Sequence, residues 1–175
     1  HEFKSAYEEE TTMKIGVPGE IKNNENRVGL VPSGVRQLVQ DGHELYVETN
    51  AGQGIGIADE EYIQAGATIL PSLEAVFETA QMIVKVKEPQ PREIALLKPH
   101  HILYTYLHLA ADKELTEGLM NSGSTCIAYE TIQLPNGALP LLLPMSEVAG
   151  RMATQIGATY LQKDKGGKGV LLRSE

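Results

Sequence analysis

The sequence predicts an α/β fold: a mostly parallel sheet with helices on both faces, ending in one long helix. Three observations predict it. Short apolar runs alternate with helical stretches from Met13 onward, the pattern of strands joined by crossover helices. The chain has 175 residues, of which 42% are hydrophobic, enough to bury a sizeable core. After Pro144 the polar start Met145-Ser146-Glu147 opens a helical stretch much longer than the earlier ones.

The elements follow in order. Lys14 to Val17 reads as a first strand. Pro32-Ser33 starts a helix with Val35, Leu38 and Val39 on one face, ended by Gly42. Glu44 to Glu48 alternates like a strand. Asp59 is expected to cap a short helix through Ala65, stopped by Gly66. Thr68 to Leu70 is a short strand, and Ser72 caps the helix SLEAVFETA. Met82 to Val86 is a strand, Arg92 to Leu97 a short helix, and Ile102 to Tyr106 a strand. Ala111 to Asn121 is a helix ended by Ser122-Gly123, and Thr125 to Tyr129 a strand. Pro135-Asn136-Gly137 is a turn, and Ser146 to about Lys163 is the long helix. KDKGGKG, Lys163 to Gly169, reads as a linker. The architecture is flavodoxin-like or Rossmann-like.

Composition narrows the function. A net charge of −8 with no basic cluster argues against a nucleic-acid partner. No apolar run approaches the roughly 20 residues that span a bilayer, so no membrane partner is expected. The acidic, polar start HEFKSAYEEETT is no signal peptide, and the single Cys126 suits a reducing cytoplasm. Residues 1–12 read as a tag or leader ahead of Met13. The expected division is 13–145 for a substrate domain and 146–175 for a connecting helix and linker.

Sheets of this kind collect ligands at the carboxyl ends of their strands. That singles out Arg27 in the first loop, Lys87 after MIVKV, and Tyr106 and His108 after ILYTY. Lys85 and Lys87 share a strand face. Either is explained by a lysine snorkelling from an edge. Held partly desolvated in a cleft, a lysine instead binds a carboxylate or polarises a carbonyl. Arg27 is a solvated loop charge or a planar fork for a carboxylate. His108 is a core or helix-start residue, or a general acid/base worth roughly 10²–10⁴ in rate. His100 and His101 look like turn residues, and no histidine spacing suggests a metal ligand set. AGQGIG, Ala51 to Gly56, has Ile57 where a dinucleotide fingerprint needs its third glycine, so it reads as a tight loop. GGKG at Gly166 lacks the context of a phosphate loop. Cys126 lies in an apolar strand and reads as packing. Ser146 opens the last helix, where a hydroxyl serves the helix, a ligand or both.

Several segments together match one family. MKIGVPGEIKNNENRVGLVPSGVRQLVQDGHEL, AGQGIGIADEEYIQAGA, IVKVKEPQ, ILYTYLHLA, IAYETIQ and LPLLLPMSEVAGRMA resemble the amino-terminal region of bacterial alanine dehydrogenase. The resemblance runs from Met13 to Leu172 in the family's order and spacing. The transhydrogenase α subunit shares only the opening pattern. The resemblance implies NAD-dependent, reversible oxidative deamination of L-alanine to pyruvate and ammonium. It implies two domains around a cleft, a cytoplasmic homo-hexamer, and NAD bound mostly by a Rossmann domain beyond these residues. Arg27 and Lys87 would bind the substrate carboxylate and carbonyl, and His108 would be the catalytic acid/base. Tyr106 and Met145 would line the pocket, and Ser146 would touch NAD. Without the second domain the polypeptide is expected to bind NAD weakly and turn over no alanine. The competing readings are a transhydrogenase-type subunit and a non-catalytic flavodoxin-like binding domain.

Overall fold

The structure is a computed structural model that describes residues 12–172. The tag or leader reading of residues 1–12 thus falls almost wholly outside the described residues. The chain divides into two compact units between Ala128 and Tyr129.

The first unit is a six-stranded, all-parallel sheet: β1 Lys14–Val17, β2 Glu44–Glu48, β3 Thr68–Leu70, β4 Met82–Val84, β5 Ile102–Thr105 and β6 Thr125–Ala128. The spatial order is β3-β2-β1-β4-β5-β6. Of the two orders open to a doubly wound sheet, this is the Rossmann one. Its switch point lies between β1 and β4, where chains leave in opposite directions and a crevice opens at the carboxyl ends. The helices α1 Pro32–Gln40, α2 Asp59–Gln64, α3 Leu73–Thr79, α4 Pro91–Ile94 and α5 Lys113–Ser122 cross between the strands. Residue alternation splits the core in two. Ile15, Val17, Leu45 and Val47 pack with Val35 and Tyr62. Ile83 and Leu103 pack with Val76, Phe77, Leu115 and Leu119. Gly16 lies between Ile15 and Val17 and turns to the opposite face, tight against Val76 and Ala80 of α3 and its end.

Several ends differ from expectation. β4 stops at Val84: the Lys85 amide still donates to Tyr104 O at 3.0 Å, but the Val86 amide turns to Glu20 Oε1 at 2.6 Å. β5 and β6 each end one residue early. Asp59 is the first helical residue rather than the cap. Its carboxylate instead accepts from Thr49 Oγ1 at 2.7 Å and the Asn50 amide at 2.8 Å, tying the β2 loop down. Ser72 caps as expected, accepting from the Ala75 amide at 3.2 Å. The helix expected from Ala111 begins as a 3-10 turn at Leu109–Ala111. Asp112 then caps α5 by accepting from the Leu115 amide at 2.9 Å. α4 is one turn, shorter than the expected 92–97.

The second unit contains α6, Leu143–Tyr160. It starts three residues before the expected Ser146. Ser146 is therefore inside the helix, and its hydroxyl donates to the Leu142 carbonyl at 3.3 Å instead of capping. Residues 163–169 close the helix end: Gly167 N–H donates to Gln162 O and Gly169 N–H to Leu161 O, at 2.9 and 2.8 Å. No helix among the described residues is long and apolar enough to cross a membrane.

Candidate active site

The two strands beside the switch point each deliver a cation. After β1 the chain runs through Asn24, at φ 61°, to Arg27. Two residues later Gly29 lies so close to β4 that an added Cβ would stand 2.4 Å from Val84 O. Tyr62 anchors the end of the same loop by donating its hydroxyl to Leu30 O at 2.9 Å. Burial pushes that hydroxyl up to about 12, so it keeps its proton. The Arg27 loop is thus packed directly on the carboxyl end of β4, where Lys85 and Lys87 emerge.

Arg27 already holds a carboxylate. Its Nε and one terminal nitrogen meet Glu25 Oε1 and Oε2 at 2.8 and 2.6 Å, the two-pronged geometry a guanidinium favours. The Arg27 hydrogen bond holds the Glu25 carboxyl down at about 2, and the charge of Lys87 adds to the effect. Lys87 therefore shares one electrostatic neighbourhood with Arg27. A second carboxylate borders it: Glu88 pairs with Lys22. Burial alone would raise Glu88, but the hydrogen bond and charge of Lys22, with Lys87 behind them, bring it below the usual range.

Tyr106 and His108 follow β5, the next strand along. The Tyr106 amide donates to Val86 O at 3.3 Å, beside Lys87. The Tyr106 and His108 rings stack with centroids 6.0 Å apart and planes 11° from parallel. His108 is exposed and adopts a left-handed backbone, φ 51° and ψ 37°. Such a conformation costs a non-glycine residue about 1–3 kcal/mol and clusters at functional positions.

The candidate residues divide between the two units. Arg27, Lys87, Tyr106 and His108 belong to the first, Met145 and Ser146 to the second. A cleft of about 310 Å³ is bordered by Arg27, Glu20, Glu25 and Glu48, but by none of Lys87, Tyr106 and His108. One other expectation is corrected. Lys85 is not a snorkelling surface lysine: it is 1% exposed and lies between Glu20 and Glu93. His101 closes the expected turn, its amide donating to Lys98 O at 2.9 Å, and its ring is buried: it is 1% exposed, and its Nδ1 accepts from the Lys98 amide at 3.0 Å. Sequence reasoning missed Glu20, Glu25 and Glu93. The available signal was Lys85 itself, since a lysine inside an apolar strand needs buried counter-charges.

The glycines of AGQGIG form no open cradle. A Cβ on Gly52 would meet Ile57 at 2.9 Å, and one on Gly54 would meet Asn26 O at 2.7 Å. The chain's own loop fills the space at Gly52 and Gly54, and Gly56 turns at φ 78° with nothing within 4 Å, so the tight-loop reading fits the geometry.

The family model for the alanine dehydrogenase/PNT N-terminal domain matches residues 16–149. Alanine dehydrogenase of Methanococcus maripaludis is 58% identical over 160 residues, 91% of this chain and 43% of that protein. A solved L-alanine dehydrogenase superposes with a TM-score of 0.83 at 57% identity, over 91% of this chain and 44% of that one. The transhydrogenase of Sinorhizobium meliloti gives 0.63 at 27% identity, over 67% and 35%. The chain thus spans less than half the length of these relatives. It belongs to the alanine dehydrogenase/PNT N-terminal domain family.

Proposed function

We propose that the chain supplies the substrate-binding half of an L-alanine dehydrogenase, which interconverts L-alanine with pyruvate and ammonium using NAD. The observation that carries this reading is the meeting of the Arg27 and Lys87 loops at the switch point. There the Arg27 fork is filled by the Glu25 carboxylate, the same chemical group that alanine and pyruvate bring.

The division of labour follows from the chemistry of each group. Arg27 exchanges the Glu25 carboxylate for that of the substrate, which fixes the substrate's orientation. The Lys87 ammonium stands against the carbonyl oxygen and stabilises negative charge as it develops. His108, exposed at the end of β5, takes and returns a proton as water adds to the reacting carbon and ammonium leaves. Tyr106 and Met145 line the pocket. NAD supplies the hydride acceptor when bound. Ser146 offers it an exposed hydroxyl. In this reading most NAD contacts come from the part of the relatives' length that this chain does not cover. Residues 13–145 then form the substrate domain and 146–175 the connection to the NAD domain. The whole enzyme is cytoplasmic and hexameric, without nucleic-acid or membrane partners.

The test is NADH-dependent amination of pyruvate by the full-length protein carrying these residues. His108→Ala is expected to lower kcat at least about 100-fold with NADH affinity retained. Lys87→Ala is expected to lower kcat/KM for pyruvate similarly. Hydride exchange between two nucleotides with no pyruvate turnover would replace the reading with that of a transhydrogenase.

A further inference from the structure

Two buried carboxylates and one buried ammonium lie beneath the crevice between β1 and β4. Glu20 belongs to the loop after β1, Lys85 follows β4, and Glu93 belongs to α4. Their side chains are at most 1% exposed. Lys85 Nζ lies 3.0 Å from Glu20 Oε2 and 2.6 Å from Glu93 Oε1. Burying three charges is a poor way to hold a fold together, since apolar side chains of equal volume commonly do as well or better. What apolar side chains cannot do is accept hydrogen bonds, and here both carboxylates do. Glu20 Oε1 takes the amides of Val86 at 2.6 Å and Lys87 at 3.3 Å. Glu93 Oε2 takes the Gln90 amide at 2.7 Å. From β5, the fully buried Thr105 donates its hydroxyl to the Lys87 carbonyl at 2.9 Å.

Both polar backbone groups of Lys87 are therefore held by side chains, one residue past the last bond to β5, from the Tyr106 amide to Val86 O. β5 holds the carbonyl side of the chain at Val86 and Lys87, and the Glu20 carboxylate holds both amides. Lys85 in turn fixes that carboxylate by its second oxygen, and Glu93 fixes Lys85. We propose that Glu20 is a positioning residue that aims the Lys87 side chain at the substrate, with Lys85 and Glu93 as its anchor. The proposal rests on the reading of Lys87 as the substrate-binding lysine. It differs from that reading in assigning the aim of Lys87 to a group that touches no substrate.

The experiment uses this chain with pyruvate as the probe, followed by amide-resolved NMR with hydrogen exchange. In the unaltered chain the Val86 and Lys87 amides are expected to exchange far more slowly than open-loop amides. Glu20→Ala is expected to speed both at least about tenfold and to weaken pyruvate binding about tenfold, with the spectrum of the core unchanged. Glu20→Gln keeps a carbonyl oxygen for the Val86 amide and is expected to recover part of the loss. A purely structural role would shift core resonances and show no graded recovery at Lys87. The proposal is overturned if Glu20→Ala folds and leaves both exchange and affinity unchanged. If Glu20→Ala does not fold, open-loop exchange of the two amides in the unaltered chain overturns it, and protected exchange with Gln recovery supports it. Failure of the substrate reading is separate. Lys87→Ala that leaves pyruvate binding intact defeats that reading, and the exchange measurements still decide what holds the Lys87 backbone.

Discussion

Gly29→Ala is the sharpest probe of how the first loop is seated on the sheet. A methyl group there would stand 2.4 Å from Val84 O, 2.8 Å from Val84 C and 3.1 Å from Lys85 Cα. Carbon contacts relax at about 3.5 Å, so the loop must lift by roughly 1 Å. All three neighbours are backbone atoms at the end of β4, and no rotamer change relieves them. Overpacking typically costs about 1–3 kcal/mol, and rigid partners place this case at the top of that range. For a chain of this size that is a fall of roughly 6–12 °C in Tm. Gly34→Ala is the internal control. Gly34 sits in α1 with only Leu30 Cδ2 nearby, at 3.5 Å. Alanine should stabilise that helix by about 0.5–1 kcal/mol. Urea unfolding followed by circular dichroism measures both, with constant m-values as the check on the comparison. A Gly29→Ala loss below about 0.5 kcal/mol would refute the close-approach argument, as would the same sign for the two glycines.

Two further outcomes follow from the buried charges. Lys85→Met leaves Glu20 and Glu93 facing each other without a counter-ion and should cost about 3–5 kcal/mol in urea unfolding. Adding Glu20→Leu and Glu93→Leu should recover most of it, and a single Lys85→Met within about 1 kcal/mol of the parent would contradict the pairing. Burial, with the charge of His100 behind it, holds His101 below its ordinary value of 6.5. The fold prefers the neutral ring, so this contribution is present above that value and is lost as pH falls through the lower folded value. The urea midpoint should thus drop less between about pH 7 and pH 5 in His101→Gln than in the parent, and equal slopes would remove His101 from the account.

The places of Arg27 in the first loop and of Lys87, Tyr106 and His108 after their strands were legible as candidates, because strand ends can be read from local pattern and an α/β sheet places ligands there. The Glu25 partnership of Arg27 was not: Glu25 is two residues away, but only the loop conformation turns both groups into one fork. Ser146 shows the limit of reading a helix start from residue type. Pro144 is compatible with the first helical turn, so the helix begins at Leu143 and the serine falls inside it.

By itself the sequence determined the order and kind of the elements, the parallel character of the sheet and the positions after each strand. These follow from patterns within a few residues of one another. Only the tertiary structure decided the Rossmann strand order, the seating of Gly29 on Val84 and the burial of Lys85 between Glu20 and Glu93. Gly29 and Val84 are 55 residues apart and Glu20 and Lys85 are 65, brought together by the crossovers between strands. Alternation tells which residues share a face of one strand, but the partner of a buried charge is chosen by which strands become neighbours.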